Sequence, residues 1–285
     1  MYWLISIIIA ILFSVSATSG MSESASVGVA TGERPVERAG KANVPVDETE
    51  RFEQVYSLNL DGTVKASNIS GDIKVSTWDS PQVRLVATKM AEDRERLKDM
   101  ELKIESTPGA FSVKVKYRNH DKDDNDGYWR NSGRMSVEYE LTVPRTAVLE
   151  KISSVSGNIS VDGAGNESNV SSVSGDVRAS NLGGTAKLSS VSGTVEADFS
   201  NVEAGSRIRL SSVSGSVVLM LPSYAGASVR ASTVSGKITN DFGLEVDEGK
   251  YVGSSMKGTF GDGSVDVKMS TVSGRIKVGK NSVEL

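Results

Sequence analysis

One eight-residue pattern, apolar-Ser-(Ser/Thr)-Val-Ser-Gly-any-(Val/Ile), recurs six times without a violation and constrains the fold more than any other feature of the chain. The copies begin at Ile152, Val170, Leu188, Leu210, Ala231 and Met269, and their glycines are Gly157, Gly175, Gly193, Gly215, Gly236 and Gly274. A looser copy, ASNISGDI, lies upstream at Ala66–Ile73, departing from the pattern at Asn68 and Ile69. Successive copies are 18 residues apart, stretched to 21–22 in two steps and further before the last. That period excludes propeller blades of about 40 residues, and no helix-forming stretch separates the copies as leucine-rich repeats require. It fits short strands stacked in register at about 4.8 Å per rung, so six rungs would extend roughly 30 Å. The expected fold class is therefore mainly β: a right-handed parallel β-solenoid, since parallel crossovers nearly always take that hand.

Each column of the repeat carries its own expectation. Val155, Val173, Val191, Val213, Val234 and Val272 form one column, and Ile159, Val177, Val195, Val217, Ile238 and Ile276 another. Both are β-branched throughout, the shape that packs best on a pleated half-buried surface, and both are expected to point inward. The position after the glycine (Asn158, Asp176, Thr194, Ser216, Lys237, Arg275) accepts any polar group and is expected to face water. The constant glycine predicts a corner that needs positive φ or a close backbone approach. The serine columns read as hydroxyl ladders bonded along the stack, not as nucleophiles.

Upstream of the repeats, Tyr56, Leu58 and Leu60 alternate with polar residues before the Asp61-Gly62 turn, and Val83, Leu85 and Ala87 form another alternating run. Lys89–Lys103 is rich in Met, Glu, Arg and Leu and predicts a helix with Met90, Leu97 and Met100 buried. Phe111–Tyr117 and Val137–Val143 alternate cleanly, one polar face basic and the other acidic, which predicts an antiparallel hairpin across the polar Asn119–Arg134 loop. The segment from Pro81 to Pro144 is expected to act as a cap, and the excursion from Phe242 to Met269 to close the far end.

Met1–Ala17 carries no charged side chain, and Tyr2–Phe13 is an almost unbroken apolar run ending near Val15 and Ala17. This predicts a signal peptide over 1–17, with an uncleaved anchor as the alternative, because the run is shorter than the about 20 residues of a comfortable span. Residues 18–50 contain no aromatic side chain and predict a disordered linker. The remainder divides into 51–150, holding the first rung, helix and hairpin, and 151–285, the repeat solenoid. Cysteine is absent, so neither disulfides nor thiol acylation can operate. These features predict export to the periplasm or cell surface.

The VSG(D/N/T)(I/V) units, the stretch SNISGDIKVSTWDSPQVRLVATK, the VEYELTVP strand and the ending GTFGDGSVDVKMSTVSGRIKV resemble a bacterial adhesin-like family long catalogued as a domain of unknown function. The resemblance spans roughly residues 52–280. It implies an extracytoplasmic β-solenoid with an adhesive or envelope role and brings no catalytic residues with it.

Specific chemistries find little support in the sequence. A net charge of −4, mixed in sign along the chain, argues against a nucleic-acid partner. Asp121, Asp123, Asn125, Asp126 and Gly127 look like a calcium loop, but the glycine falls one place late and Ser132 stands where an EF-hand needs Glu. His120, the single histidine, has no orienting partner in the sequence. Asp176, Arg178 and Glu196 form an outward cluster without the repeated carboxylate pair that glycoside cleavage needs, and Arg178 with Glu196 predicts an ion pair between neighbouring rungs. Gly258, Gly261 and Gly263 lack the Lys-Ser/Thr pair and helix of a phosphate cradle and predict a turn. No catalytic, cofactor or metal residue is assigned. The expectation is a non-enzymatic structural or binding protein of the cell envelope whose partner is a glycan or another protein. A carbohydrate-active enzyme and a scaffold self-associating through the solenoid ends are the alternatives.

Overall fold

The structure, a computed structural model, describes residues 47–118, 134–249 and 253–281. The signal segment and nearly all of the expected linker lie outside them, as do His120 and the Asp121–Gly127 loop. Strand β1 (Glu48–Ser57) begins just inside the segment read as linker. The looser repeat copy forms β2 (Thr63–Ser70) and β3 (Ile73–Trp78), which meet at Gly71. Next come β4 (Gln82–Ala91), helix α1 (Arg94–Asp99), β5 (Met100–Thr107), β6 (Ala110–Tyr117) and β7 (Met135–Pro144). Each later copy gives the same two-strand unit: β8 (Val148–Ser156) with β9 (Ile159–Asp162), then β10 (Ser168–Ser174) with β11 (Val177–Leu182). The pattern continues through β12 (Ala186–Ser192) with β13 (Val195–Phe199), β14 (Arg207–Ser214) with β15 (Val217–Pro222), and β16 (Ala227–Ser235) with β17 (Ile238–Asn240). Two short strands, β18 (Val246–Glu248) and β19 (Ser254–Phe260), precede the last unit, β20 (Val265–Ser273) with β21 (Ile276–Asn281).

The first strands of all units line up in one eleven-stranded sheet, sheet I, in the order β18-β19-β16-β20-β14-β12-β10-β8-β2-β6-β5. The second strands line up in a ten-stranded sheet, sheet II, ordered β1-β4-β7-β3-β9-β11-β13-β15-β21-β17. Pairing is parallel and in register through the units and antiparallel at the margins, where β5, β1, β4, β18 and β19 lie. Both sheets are therefore mixed, and neither closes into a barrel. Chain order and stack order part company at one end: β20 and β21, the last unit in sequence, lie between β14/β15 and β16/β17.

The core lies between the sheets. Ile152, Val170, Leu188, Leu210, Met269 and Ala231 face it from sheet I, and Ile159, Val177, Val195, Val217, Ile276 and Ile238 from sheet II. Each Val, Leu, Ile or Met side chain among them contributes about 1.5–3 kcal/mol when buried. Tyr139, Phe111 and Phe199 are the largest side chains in it.

Two expectations are corrected here. The helix covers only Arg94–Asp99, started by Asp93, whose side chain accepts from the Arg96 backbone N–H at 2.8 Å. Lys89–Ala91 instead complete β4 between β1 and β7, so pairing on both sides overrides helix propensity. Leu97 and Met100 are buried as expected, and Met90 only half so. The second correction concerns β6 and β7, which are not a hairpin. β6 runs parallel to β2 in sheet I and β7 parallel to β3 in sheet II, forming a unit of their own beyond the looser copy. Their charged faces meet other neighbours: Lys116 lies opposite Glu101 of β5, and Glu140 reaches Lys74 of β3 at 3.9 Å.

Candidate interaction surface

Each repeat copy bends at its Ser-Gly step, and the bend is built from the residues around it. The second Ser or Thr of the pattern turns inward and donates to a glycine carbonyl on the adjacent rung. Ser172 reaches Gly157 at 3.0 Å, Ser190 reaches Gly175 at 2.8 Å, and Ser212 reaches Gly193 at 2.8 Å. Thr271 reaches Gly215 at 2.9 Å, and Thr233 reaches Gly274 at 3.2 Å. In the looser copy Asn68 takes this place, donating to Val137 at 2.6 Å and Gly71 at 2.9 Å. Those buried hydroxyls are satisfied by the stack, as the ladder reading required, with the backbone as their acceptor. The glycines are needed because the rungs touch there: a β-carbon on Gly175, Gly193, Gly215 or Gly274 would overlap the glycine carbonyl of the neighbouring rung.

The column after the glycine does more than face water. Asp72 accepts from the Asn158 backbone N–H at 2.7 Å, Asn158 from Asp176 at 2.9 Å, and Asp176 from Thr194 at 2.8 Å. Four rungs are thus stitched together by three side chains at the corner, a role the sequence reading missed. The signal was present in the run of Asp, Asn, Asp at consecutive copies.

The valine column is the principal correction. Val155, Val173, Val191, Val213, Val272 and Val234 are 46–53% exposed, and Ile69 of the looser copy is 49% exposed. The reason is one of phase. Starting from the buried Ile152, a period of two puts Ser154 inward and Val155 outward, and the chain turns before another inward position is reached. Register brackets each pair, as Ser172 faces Ser190 and Ser174 faces Ser192, so the side chains stack in the order 69, 155, 173, 191, 213, 272, 234. Seven branched apolar groups form a ridge about 29 Å long at one rung per step. Beside it runs a line of serines, Ser156, Ser174, Ser192, Ser214, Ser273 and Ser235, all exposed.

Arg178 donates to Asp176 at 2.7 Å and to Glu196 at 3.0 Å, holding the expected ion pair and a second carboxylate on the outside of sheet II. Gly261 and Gly263 have φ of +58° and +68° and make the turn between β19 and β20, where Asp262 accepts from the Ser264 backbone N–H at 3.0 Å. Among the described residues no three His, Asp or Glu side chains gather as a metal site would require. No described helix is long and apolar enough to cross a membrane.

A bent two-strand unit repeated across two mixed sheets defines the class, and the chain belongs to the Toastrack DUF4097 family, whose model matches residues 44–279. Among solved structures it is similar to a protein provisionally called a cell adhesion protein from Clostridium sporogenes, at 15% identity and a TM-score of 0.47, covering 82% of this chain and 100% of that one. A provisionally named adhesin from Bacteroides fragilis aligns at 11% identity with a TM-score of 0.35, covering 80% and 97%. A provisionally named lipid binding protein from Parabacteroides distasonis aligns at 12% with a TM-score of 0.23, covering 80% and 96%. No curated protein matches the chain.

Proposed function

We propose that this protein is a non-enzymatic binding component of the cell envelope, exported by its uncharged apolar leader and built as a right-handed solenoid that presents a repeating surface to an envelope glycan or protein. The observation that carries this reading is the exposed ridge of Ile69 and six valines. Scattered apolar residues on a surface are ordinary; seven in register on consecutive strands form a continuous apolar line, the kind of feature that marks an interaction site. The fold does not require them, because the inward columns already build the core. The exposed serines alongside supply groups that donate and accept, suited to a hydroxyl-rich or backbone-lined partner. The short, polar margins β17 and β18 blunt pairing at one end of the stack, which weighs against an end-to-end scaffold.

The test uses the full exported chain immobilised and challenged with cell-wall, glycan and envelope-protein fractions. A chain carrying both Val191→Asp and Val213→Asp should lose retention of its partner while melting at the wild-type temperature. Retention unchanged by those substitutions would remove the ridge from the reading. Release of reducing sugar from a retained glycan would replace binding with catalysis.

A further inference from the structure

Two residues before the column of Ser153, Ser171, Ser189 and Ser211 in sheet I lies another column that the sequence reading did not isolate. In stack order it reads Lys65, Lys151, Asn169, Lys187, Arg209, Lys268, Arg230 and Lys257. Seven of its eight members are basic, and each is adjacent in its strand to a residue that points into the core (Ala66 after Lys65, for example, and Met256 before Lys257 in the antiparallel β19), so the column lies on the outer face. Strand register sets like charges directly opposite one another. Lys65 faces Lys151, Lys187 faces Arg209, Arg209 faces Lys268, Lys268 faces Arg230, and Arg230 faces Lys257. At one rung per step the line is about 34 Å long.

Like charges directly opposite on neighbouring strands destabilise a sheet. Only Lys65, with Glu150 at 2.8 Å, and Arg209, with Asp266 at 2.6 Å, have ion-pair partners among the described residues. The field of the cluster holds the Asp266 carboxyl below its usual value, first through the Arg209 hydrogen bond and also through Arg230 and Arg207. Nothing in the packing calls for this arrangement, since Asn169 occupies the same position in β10 without disturbing the stack. Adjacent on the same face is a second uninterrupted line: Ser67, Ser153, Ser171, Ser189, Ser211, Ser270, Ser232 and Ser255.

We propose that the outer face of sheet I binds a linear anionic glycan laid along the stacking axis, its regularly spaced acid groups meeting the basic column and its hydroxyls meeting the serine column. This rests on the reading of the protein as an envelope binder and names the class of its partner. A single line of charges one rung apart complements a linear polyanion. A bilayer offers a two-dimensional field of headgroups and would favour aromatic or bulky apolar anchors, whereas the apolar members of this face are branched aliphatics at one edge. The serine line distinguishes a polyhydroxylated chain from a bare polyphosphate.

The experiment measures binding of the full chain to polygalacturonate over a salt series. The comparison ligands are neutral dextran, single-stranded oligothymidylate and vesicles of phosphatidylglycerol. Polygalacturonate should bind, raise the melting temperature by relieving the like-charge contacts, and weaken linearly in log–log form as salt rises. The triple variant Lys187→Gln, Lys268→Gln, Arg230→Gln should fold normally, lose at least tenfold in affinity, and flatten the salt slope by roughly 2. Equal binding to oligothymidylate would reduce the surface to generic polyanion attraction and overturn the proposal, as would binding to vesicles in preference to the glycan. If the triple variant still retains an envelope fraction through the ridge while polygalacturonate fails to bind the wild type, the anionic-glycan assignment falls and the envelope-binding reading stands. If neither the envelope fractions nor polygalacturonate binds, both fall.

Discussion

At Gly193 a β-carbon would overlap the carbonyl oxygen of Gly175 on the rung beside it, and the neighbour is backbone, which cannot swing aside. Gly193→Ala is therefore expected to cost about 3 kcal/mol or more, at the upper end of overpacking, measured by denaturant unfolding. A cost below about 1 kcal/mol would mean that the rungs can separate at the corner. Two positions away the expectation reverses. Val191 is 46% exposed, so Val191→Asp should leave stability within about 0.5 kcal/mol of wild type. Asp176 is the intermediate case: it is partly exposed, yet it accepts from the Thr194 backbone N–H and from Arg178. Asp176→Ala should cost about 1 kcal/mol, the typical worth of one such hydrogen bond. Asp176→Asn should recover most of it, because Asn158 makes the same backbone contact one rung away.

At the scale of the strand and its bend, what was legible in the sequence followed from periodicity, and what was not followed from partners far along the chain. The six constant glycines, with Gly71 of the looser copy, located the bends of the repeat copies, and the Ile159-type column located the core on the sheet II side, because burial selects shape at each copy independently; the Ile152-type column, equally buried, was not read as inward. The valine column was misassigned because β-branching serves a pleated surface on either side of a sheet; only its phase from Ile152 separates outside from inside. Lys89–Ala91 read as helix because local propensity cannot register that β1 and β7 flank them. β6 and β7 read as a hairpin because complementary charges fit any neighbour, and their actual neighbours, β5 and β3, are set by the stack. The basic column was visible as the residue before each copy's first apolar position, but its meaning depends on register, which places like charges face to face. The inward hydroxyl gives an element-level expectation. Ser212→Ala should cost about 1–3 kcal/mol by leaving the Gly193 carbonyl without its buried donor. The exposed Ser214→Ala in the same unit should be nearly neutral by the same thermal or chemical melt.

The whole molecule departs from a simple array at one end, and that departure governs how it can be shortened. In an array stacked in chain order each unit touches only its sequence neighbours, so removing the last one leaves the rest folded. Among the described residues β16 pairs only with β19 and β20, and β17 only with β21. The unit at Ala227–Asn240 is therefore joined to the stack through the final strands, Val265–Asn281, and β14 and β15 rely on those strands for their outer pairing. A chain ending at Asp262 is expected to lose two units where its sequence lacks one. Amide hydrogen exchange should show residues 227–240 and 254–260 unprotected, while β8 to β13, paired on both sides, stay protected. Exposed parallel edges at β14 and β15 should also make the truncated chain associate with increasing concentration, seen by light scattering. Full protection across Ala227–Ser235 in the truncated chain would contradict the inserted position of β20. The same topology orders assembly: β14 and β20 lie more than 50 residues apart in sequence, so the last unit closes a long loop before its contacts form. Refolding should therefore protect β8 to β13 before β16, β20 and β21, and the latter three should gain protection together, as pulsed exchange would resolve.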